Sequence, residues 1–216
     1  MKDTRTIEDH LREEYFQLLP DVRRVVEHLE TEIRYCLLPI SRTLRKHERL
    51  EVASRVKDCE SALDSLRRRQ EGATFDRDQP RLYSLTSLND LAGVRVLAFP
   101  KYRLTEVDQA LRERYPDWNA DPVPGVHESD HPLAFKYHGY CPASVKIRGE
   151  FQIVSMLTGL FWQVEHSAIY KPDPRLKGLT RSLPMQQRTK EVLDALQAFE
   201  DEFETLLRSD SFNQSD

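Results

Sequence analysis

Along the first seventy residues apolar side chains return every three or four positions. Tyr15, Leu18, Leu19, Val22, Val25, Val26, Leu29 and Ile33 fall on one stripe, with Arg, Glu and Asp between them, as in an amphipathic helix. Pro20 and Pro39 are expected at first turns or kinks, because proline has no N–H to donate inside a helix. A second helix is predicted over 48–69, with Val52, Val56, Ala62, Leu63 and Leu66 inward. Glu71-Gly72 closes it, glycine being common just past a helix end.

The pattern then changes period. Residues 93–99 are a short β-branched run stopped by Pro100, which predicts a strand. A short helix is expected over 105–115, with Val107, Ala110 and Leu111 on one side. Residues 116–132 are rich in Pro, Asp and Asn and read as a loop long enough to be functional. Two alternating strands, 143–147 and 150–154, flank Arg148-Gly149, the signature of a hairpin with a two-residue turn. Helix returns over 157–170. In the tail, Val192, Leu196, Phe199, Phe203 and Leu206 alternate steps of four and three, a heptad-like seam. That seam is expected to pack on the N-terminal helices of the same chain, with a homo-oligomer through terminal helices as the alternative. Helices, then a centre of strands and helix, then helices predict an α+β domain with helical flanks.

Length and composition narrow the picture. The chain of 216 residues suits one large domain, or a domain with a helical extension. With 39% hydrophobic and 31% charged residues, it has material for a core. A net charge of −4 excludes a uniformly basic nucleic-acid coat but leaves room for a local basic patch. Seven glycines disfavour a Gly-rich dinucleotide loop. Cys36, Cys59 and Cys141 are far apart and form no CxxC pair, so neither a zinc knuckle nor a disulfide framework is expected. No stretch reaches the ~18 apolar residues of a membrane span, and the start lacks a secretion signal's apolar core. Cytoplasm is the expected location, with no membrane partner.

Most catalytic motifs are missing. No Ser lies in a G-x-S-x-G turn and no GxxxxGK[ST] loop occurs. His127, His131 and His138 read as solvated loop histidines rather than zinc ligands. What remains is a pair of carboxylates. Asp90 precedes the strand of 93–99 and Glu150 opens that of 150–154. If those strands are neighbours, both acids converge at one sheet edge, where nucleotide phosphates could complete a Mg²⁺ octahedron. Gln152 shares the face of Glu150. A turn cap at Asp90 and an exposed strand end at Glu150 are the simpler reading of the spacing.

A longer collinear set carries more. Arg55-Val56-Lys57 with Ser61, then Asp90-Leu91-Ala92-Gly93-Val94-Arg95, Lys136-Tyr137-His138-Gly139-Tyr140, Glu150-Phe151-Gln152-Ile153, and Glu165-His166 with Ile169-Tyr170-Lys171 resembles the synthetase domain of the RelA/SpoT family, in particular the single-domain small alarmone synthetases. The resemblance implies a nucleotidyltransferase-like mixed β-sheet at 48–171, between helical extensions at 1–47 and 172–216. It also implies transfer of the β,γ-pyrophosphate of ATP to a 3′-hydroxyl of GDP or GTP, releasing AMP. Asp90 and Glu150 would bind Mg²⁺, and Glu150 would help deprotonate the attacking hydroxyl. Gln152 would position the acceptor ribose. Arg55 would pack on adenine, with Lys57 and Ser61 at the ATP phosphates and Arg95 lining the nucleotide site. Tyr140 would stack on the acceptor base, with Lys136 near an acceptor phosphate. Glu165-His166 is expected to hold its helix to the sheet.

The chain departs from the family pattern at Ser144, Val154 and Ser65, where His, Arg and Lys are usual, so the acceptor side differs most. Two alternatives follow. One is a toxin-like relative that pyrophosphorylates the tRNA 3′ end or an adenosine nucleotide, with a neutralising antitoxin as partner; Arg67, Arg68, Arg69, Arg77 and Arg81 are its candidate RNA contacts. The other is a non-catalytic nucleotide-binding regulatory protein.

Overall fold

The computed structural model of the chain describes residues 6–71, 84–124, 132–165 and 182–209. Helix α1 (Ile7–Cys36) is followed by α2 (Leu38–Arg42), strand β1 (Arg49–Val56) and α3 (Cys59–Glu71). After a single 3-10 turn at Leu85–Ser87 come β2 (Ala92–Phe99), α4 (Arg103–Arg114), β3 (Asn119–Ala120) and β4 (Ala134–Cys141). Strand β5 (Ser144–Ser155), α5 (Met156–Glu165) and α6 (Leu183–Ser209) complete the order. The sheet runs β1-β2-β5-β4-β3; β2 and β5 are parallel and every other pairing is antiparallel. This is the expected α+β class.

Helices α1 and α4 cover one face of the sheet, and α5 covers part of the other. Helix α1 starts with a capping box, Thr6 Oγ1 accepting from Asp9 N–H and Asp9 accepting from Thr6 N–H, which satisfies donors the first turn leaves open. Its stripe of Val22, Val25, Leu29 and Ile33 is buried, as the periodicity predicts, and joins the same core as Val94, Val96 and Phe151 of the sheet. Pro39 lies in the first turn of α2, whereas Pro20 sits inside α1.

Two expectations are corrected. The helix predicted over 48–69 divides into β1 and α3. Val52 and Val56 are four apart, a spacing that fits a helical turn and a period-two strand alike; Leu50, Val52 and Val56 all pack into the α1 core. The hairpin turn predicted at Arg148-Gly149 is instead the interior of one unbroken 12-residue strand. Gly149 lies opposite Gly139 of β4. A Cβ on Gly149 would come within 2.3 Å of Leu29 Cδ1, and one on Gly139 within 2.7 Å of the Trp118 indole. These glycines make room for α1 and for Trp118, not for a turn. The real hairpin joins β4 to β5, and β4 is a strand that the sequence pattern does not predict.

Helix α6 also differs. It docks on α5 and against the end of β2, where the Phe203 ring packs tilted against Phe99 at 5.1 Å, rather than on the N-terminal helices. Val192, Phe199 and Leu206 of its seam are exposed. The continuation of the 157–170 helix beyond Glu165, together with His127, His131, His166, Arg77 and Arg81, lies outside the described residues.

Candidate active site

The site is built by strand register. In the parallel pair, Gly93 lies opposite Glu150 and Arg95 opposite Gln152. On the other side of β5, Lys136 lies opposite Gln152, His138 opposite Glu150 and Tyr140 opposite Arg148. Arg55 of β1 lies opposite Gly93. Side chains alternate between faces of a strand, so all of these project to the face that carries α5. Gly93 has a steric role: a Cβ there would lie 3.3 Å from Arg55 Nε, so its absence lets the arginine lie across β2.

A cleft of about 430 Å³ opens on this face, with Arg55, Arg95, Glu150 and Gln152 on the sheet side and Trp162 and Glu165 on the α5 side. A continuous polar chain crosses its floor. Arg95 donates from Nε and Nη2 to Gln152 Oε1 at 3.3 and 3.1 Å. Gln152 Nε2 donates to Glu150 Oε1 at 2.8 Å. Lys136 Nζ stands 3.2 Å from Glu150 Oε2 and 3.4 Å from Asp121. Glu150 is 3% exposed, and its Oε2, though in ion-pair range of Lys136, lacks a well-directed hydrogen bond among the described residues. A buried carboxylate oxygen left in this state favours a further cationic or donor ligand.

Asp90, just before β2, is ion-paired with Lys57, just after β1; the Lys57 N–H donates to Leu91 O at 2.9 Å, which fixes the two segments together. Burial works against the Asp90 charge, but Lys57, Arg55 and Arg69 outweigh it and hold the carboxyl below its ordinary range. Burial lowers the Lys57 pKa, with Asp90 and Glu150 opposing. Burial also lowers that of Arg95, helped by Arg55. Lys136 goes the other way: burial disfavours its charge, yet Glu150 and Asp121 raise its pKa. Two carboxylates balanced by lysines offer hard oxygen ligands suited to Mg²⁺ shared with phosphates. Among the described residues no group of three or more His, Cys, Asp or Glu could hold a metal by itself.

The structure thus brings Arg55, Arg95, Glu150, Gln152 and Lys136 together, with Lys57 and Asp90 coupled to them electrostatically. Tyr140 stands at the edge of the same face, 52% exposed, its carbonyl accepting from Trp118 Nε1 at 3.1 Å. Ser61 is not brought into the cleft. It lies in the first turn of α3, 6% exposed, where its hydroxyl and N–H both donate to Asp58.

Three residues gain a place the sequence reading did not give them. His138 is not a solvated loop residue but a β4 residue facing Glu150; its pKa is lowered by burial, and Nδ1 is buried without a hydrogen-bond partner among the described residues. Arg148 belongs to β5 beside Tyr140. Glu165 lines the cleft, with its pKa raised by burial. For the first two a signal existed: counting by twos from Lys136 and from Glu150 reaches both.

No family model matches the sequence, and no curated protein matches it. Solved structures do match. The small alarmone synthetase 1 from Bacillus subtilis is 18% identical, with 92% of this chain and 100% of that one covered and a TM-score of 0.62. The same protein bound to its product pppGpp gives 17% identity, 90% and 96% coverage and a TM-score of 0.66. A GTP pyrophosphokinase family protein from Streptococcus pneumoniae gives 20% identity, 89% and 96% coverage and a TM-score of 0.57. The fold of this chain is that of the small alarmone synthetases, the single-domain RelA/SpoT-like synthetase fold.

Proposed function

We propose that the protein is an ATP-dependent pyrophosphotransferase that moves the β,γ-pyrophosphate of ATP to the 3′-hydroxyl of GDP or GTP, giving (p)ppGpp and AMP. The observation that carries this reading is the buried Glu150 at the centre of the Arg95–Gln152–Glu150–Lys136 chain, in a fold shared with a synthetase whose structure holds pppGpp. Such a transfer needs little covalent help from protein; it needs alignment and neutralisation of phosphate charge.

Asp90 and Glu150 would hold Mg²⁺, which when bound neutralises charge on the transferring phosphates. Arg55 and Arg95 supply fixed positive charge along the cleft, and Lys57 stands ready to exchange Asp90 for a donor phosphate. Gln152, held between Arg95 and Glu150, orients the Glu150 carboxylate toward the acceptor hydroxyl, whose proton it takes. Tyr140 offers an exposed ring to the acceptor base.

The departures at Ser144 and Val154 bear on the acceptor. Val154 is buried in the sheet core with Leu97, and the hydroxyl of Ser144, the first residue of β5, accepts from the Lys146 and Ile147 N–H groups of the same strand. Neither serves the cleft. Incubating the chain with labelled ATP, Mg²⁺ and, in parallel, GDP, GTP, ATP or tRNA tests the reading. A labelled guanosine product with release of AMP is expected. Label on tRNA or on an adenosine nucleotide would move the acceptor assignment, and no transfer to any acceptor would overturn it.

A further inference from the structure

Arg148 has no part in the chain of contacts described so far, yet it stands on the same face. It lies two residues before Glu150 and therefore projects beside it, and its register partner is Tyr140. Two contacts fix its guanidinium. Nη1 donates to Asn89 Oδ1 at 2.9 Å, and Cζ lies 5.2 Å from the centre of the Tyr140 ring. It is half-buried, and among the described residues it makes no ion pair. By contrast, Lys57 is balanced by Asp90, and Lys136 by Glu150 and Asp121. Arg148 is thus an oriented cation beside an exposed aromatic ring, and among the described residues most of its five donors are uncommitted.

A planar guanidinium pre-positioned in this way matches the oxygen pairs of a phosphate. We infer that Arg148 binds a phosphate group of the acceptor and makes the cleft select a phosphorylated nucleotide over a nucleoside. This rests on the pyrophosphotransfer reading and names a specificity residue within it. It also accounts for an acceptor side whose usual cations are absent at Ser144 and Val154: the charge is supplied from the neighbouring row. The competing role for Arg148 is to brace the Tyr140 ring, through a cation–π contact, for stacking alone.

Calorimetric titration separates these roles. GDP, guanosine and a non-hydrolysable ATP analogue are each titrated into wild type, Arg148→Ala and Arg148→Lys. A phosphate ligand predicts a GDP Kd raised about tenfold or more in Arg148→Ala and partly restored in Arg148→Lys. The Kd for guanosine should change less than twofold, and that for the ATP analogue likewise, which also reports an intact fold. Equal losses for GDP and guanosine would make Arg148 a brace and overturn the inference. Unchanged GDP binding in Arg148→Ala would overturn it while leaving pyrophosphotransfer standing. A wild-type chain that binds the ATP analogue but neither GDP nor guanosine would overturn both.

Discussion

Gln152 donates to one oxygen of Glu150, and Lys136 faces the other. That arrangement keeps the carboxylate oriented while leaving one oxygen for substrate chemistry. Glu150→Gln keeps shape and burial but removes the charge, and Lys136 retains Asp121 as a partner. Folding stability should therefore change by only about 1 kcal/mol, far less than for a fully orphaned buried charge. Turnover should fall by about two orders of magnitude or more, because the lost charge acts mainly as phosphate charge develops. Asp90→Asn should lower turnover similarly but cost more stability, because the largely buried Lys57 loses its ion-pair partner and keeps only the more distant attraction of Glu150. Steady-state kinetics beside chemical unfolding checks both. Wild-type turnover in either variant would remove the carboxylates from the mechanism.

At the scale of elements, the strands that carry the site are placed by glycines. Gly149 admits Leu29 of α1, whose Cδ1 would lie 2.3 Å from an added Cβ. Gly149→Ala should destabilise the protein by about 1–3 kcal/mol through overpacking. In a Leu29→Ala background the same change should cost much less, since the methyl then enters the space the leucine leaves. A double-mutant cycle by urea unfolding measures the coupling; additive losses would show that α1 does not press on β5 at this point. The same contact ties the helix stripe, the most regular feature of the sequence, to the strand that presents Glu150 and Arg148.

For the whole molecule, the attachment of α6 sets a pH dependence. Glu200 is 1% exposed; burial pushes its pKa up from 4.5 to about 7, against the pull of Ser155 and Lys101 and with a further push from Asp201 and Glu204. An acid whose pKa is higher folded than unfolded binds its proton more tightly in the folded state. Its cost to folding is absent below pH 4.5, grows between 4.5 and 7, and is complete above 7, on the order of 3 kcal/mol. Stability from this group therefore falls as pH rises from 5 to 8. Glu200→Gln should flatten that fall, and urea unfolding of both proteins at the two pH values reads the difference. Identical slopes would mean that α6 does not bury Glu200. The basic run bears on partners at the same scale: Arg67 is paired with Glu8 and Asp64, and Arg69 donates to Ser87 O at 2.9 Å, so these side chains are engaged within the protein.

What the sequence by itself determined was local and periodic. The α1 stripe, β2, α4 and the class of fold follow from residue spacing, because burial on one face forces a period of 3.6 or 2. Spacing alone favours a turn cap at Asp90 and an exposed strand end at Glu150; the collinear family resemblance is what singles out this pair and Gln152, and Glu150 is in fact 3% exposed within β5. What only the tertiary structure decided was long-range. Val52 and Val56 fit helix and strand equally until α1 and β2 packed on either side. Gly149 looked like a turn because a lone glycine in a strand is costly, and its reason lies 120 residues away in Leu29. His138 and Arg148 join the site through register across β4 and β5: counting by twos along each segment gives their shared face, but only pairing between the segments sets that face beside Glu150.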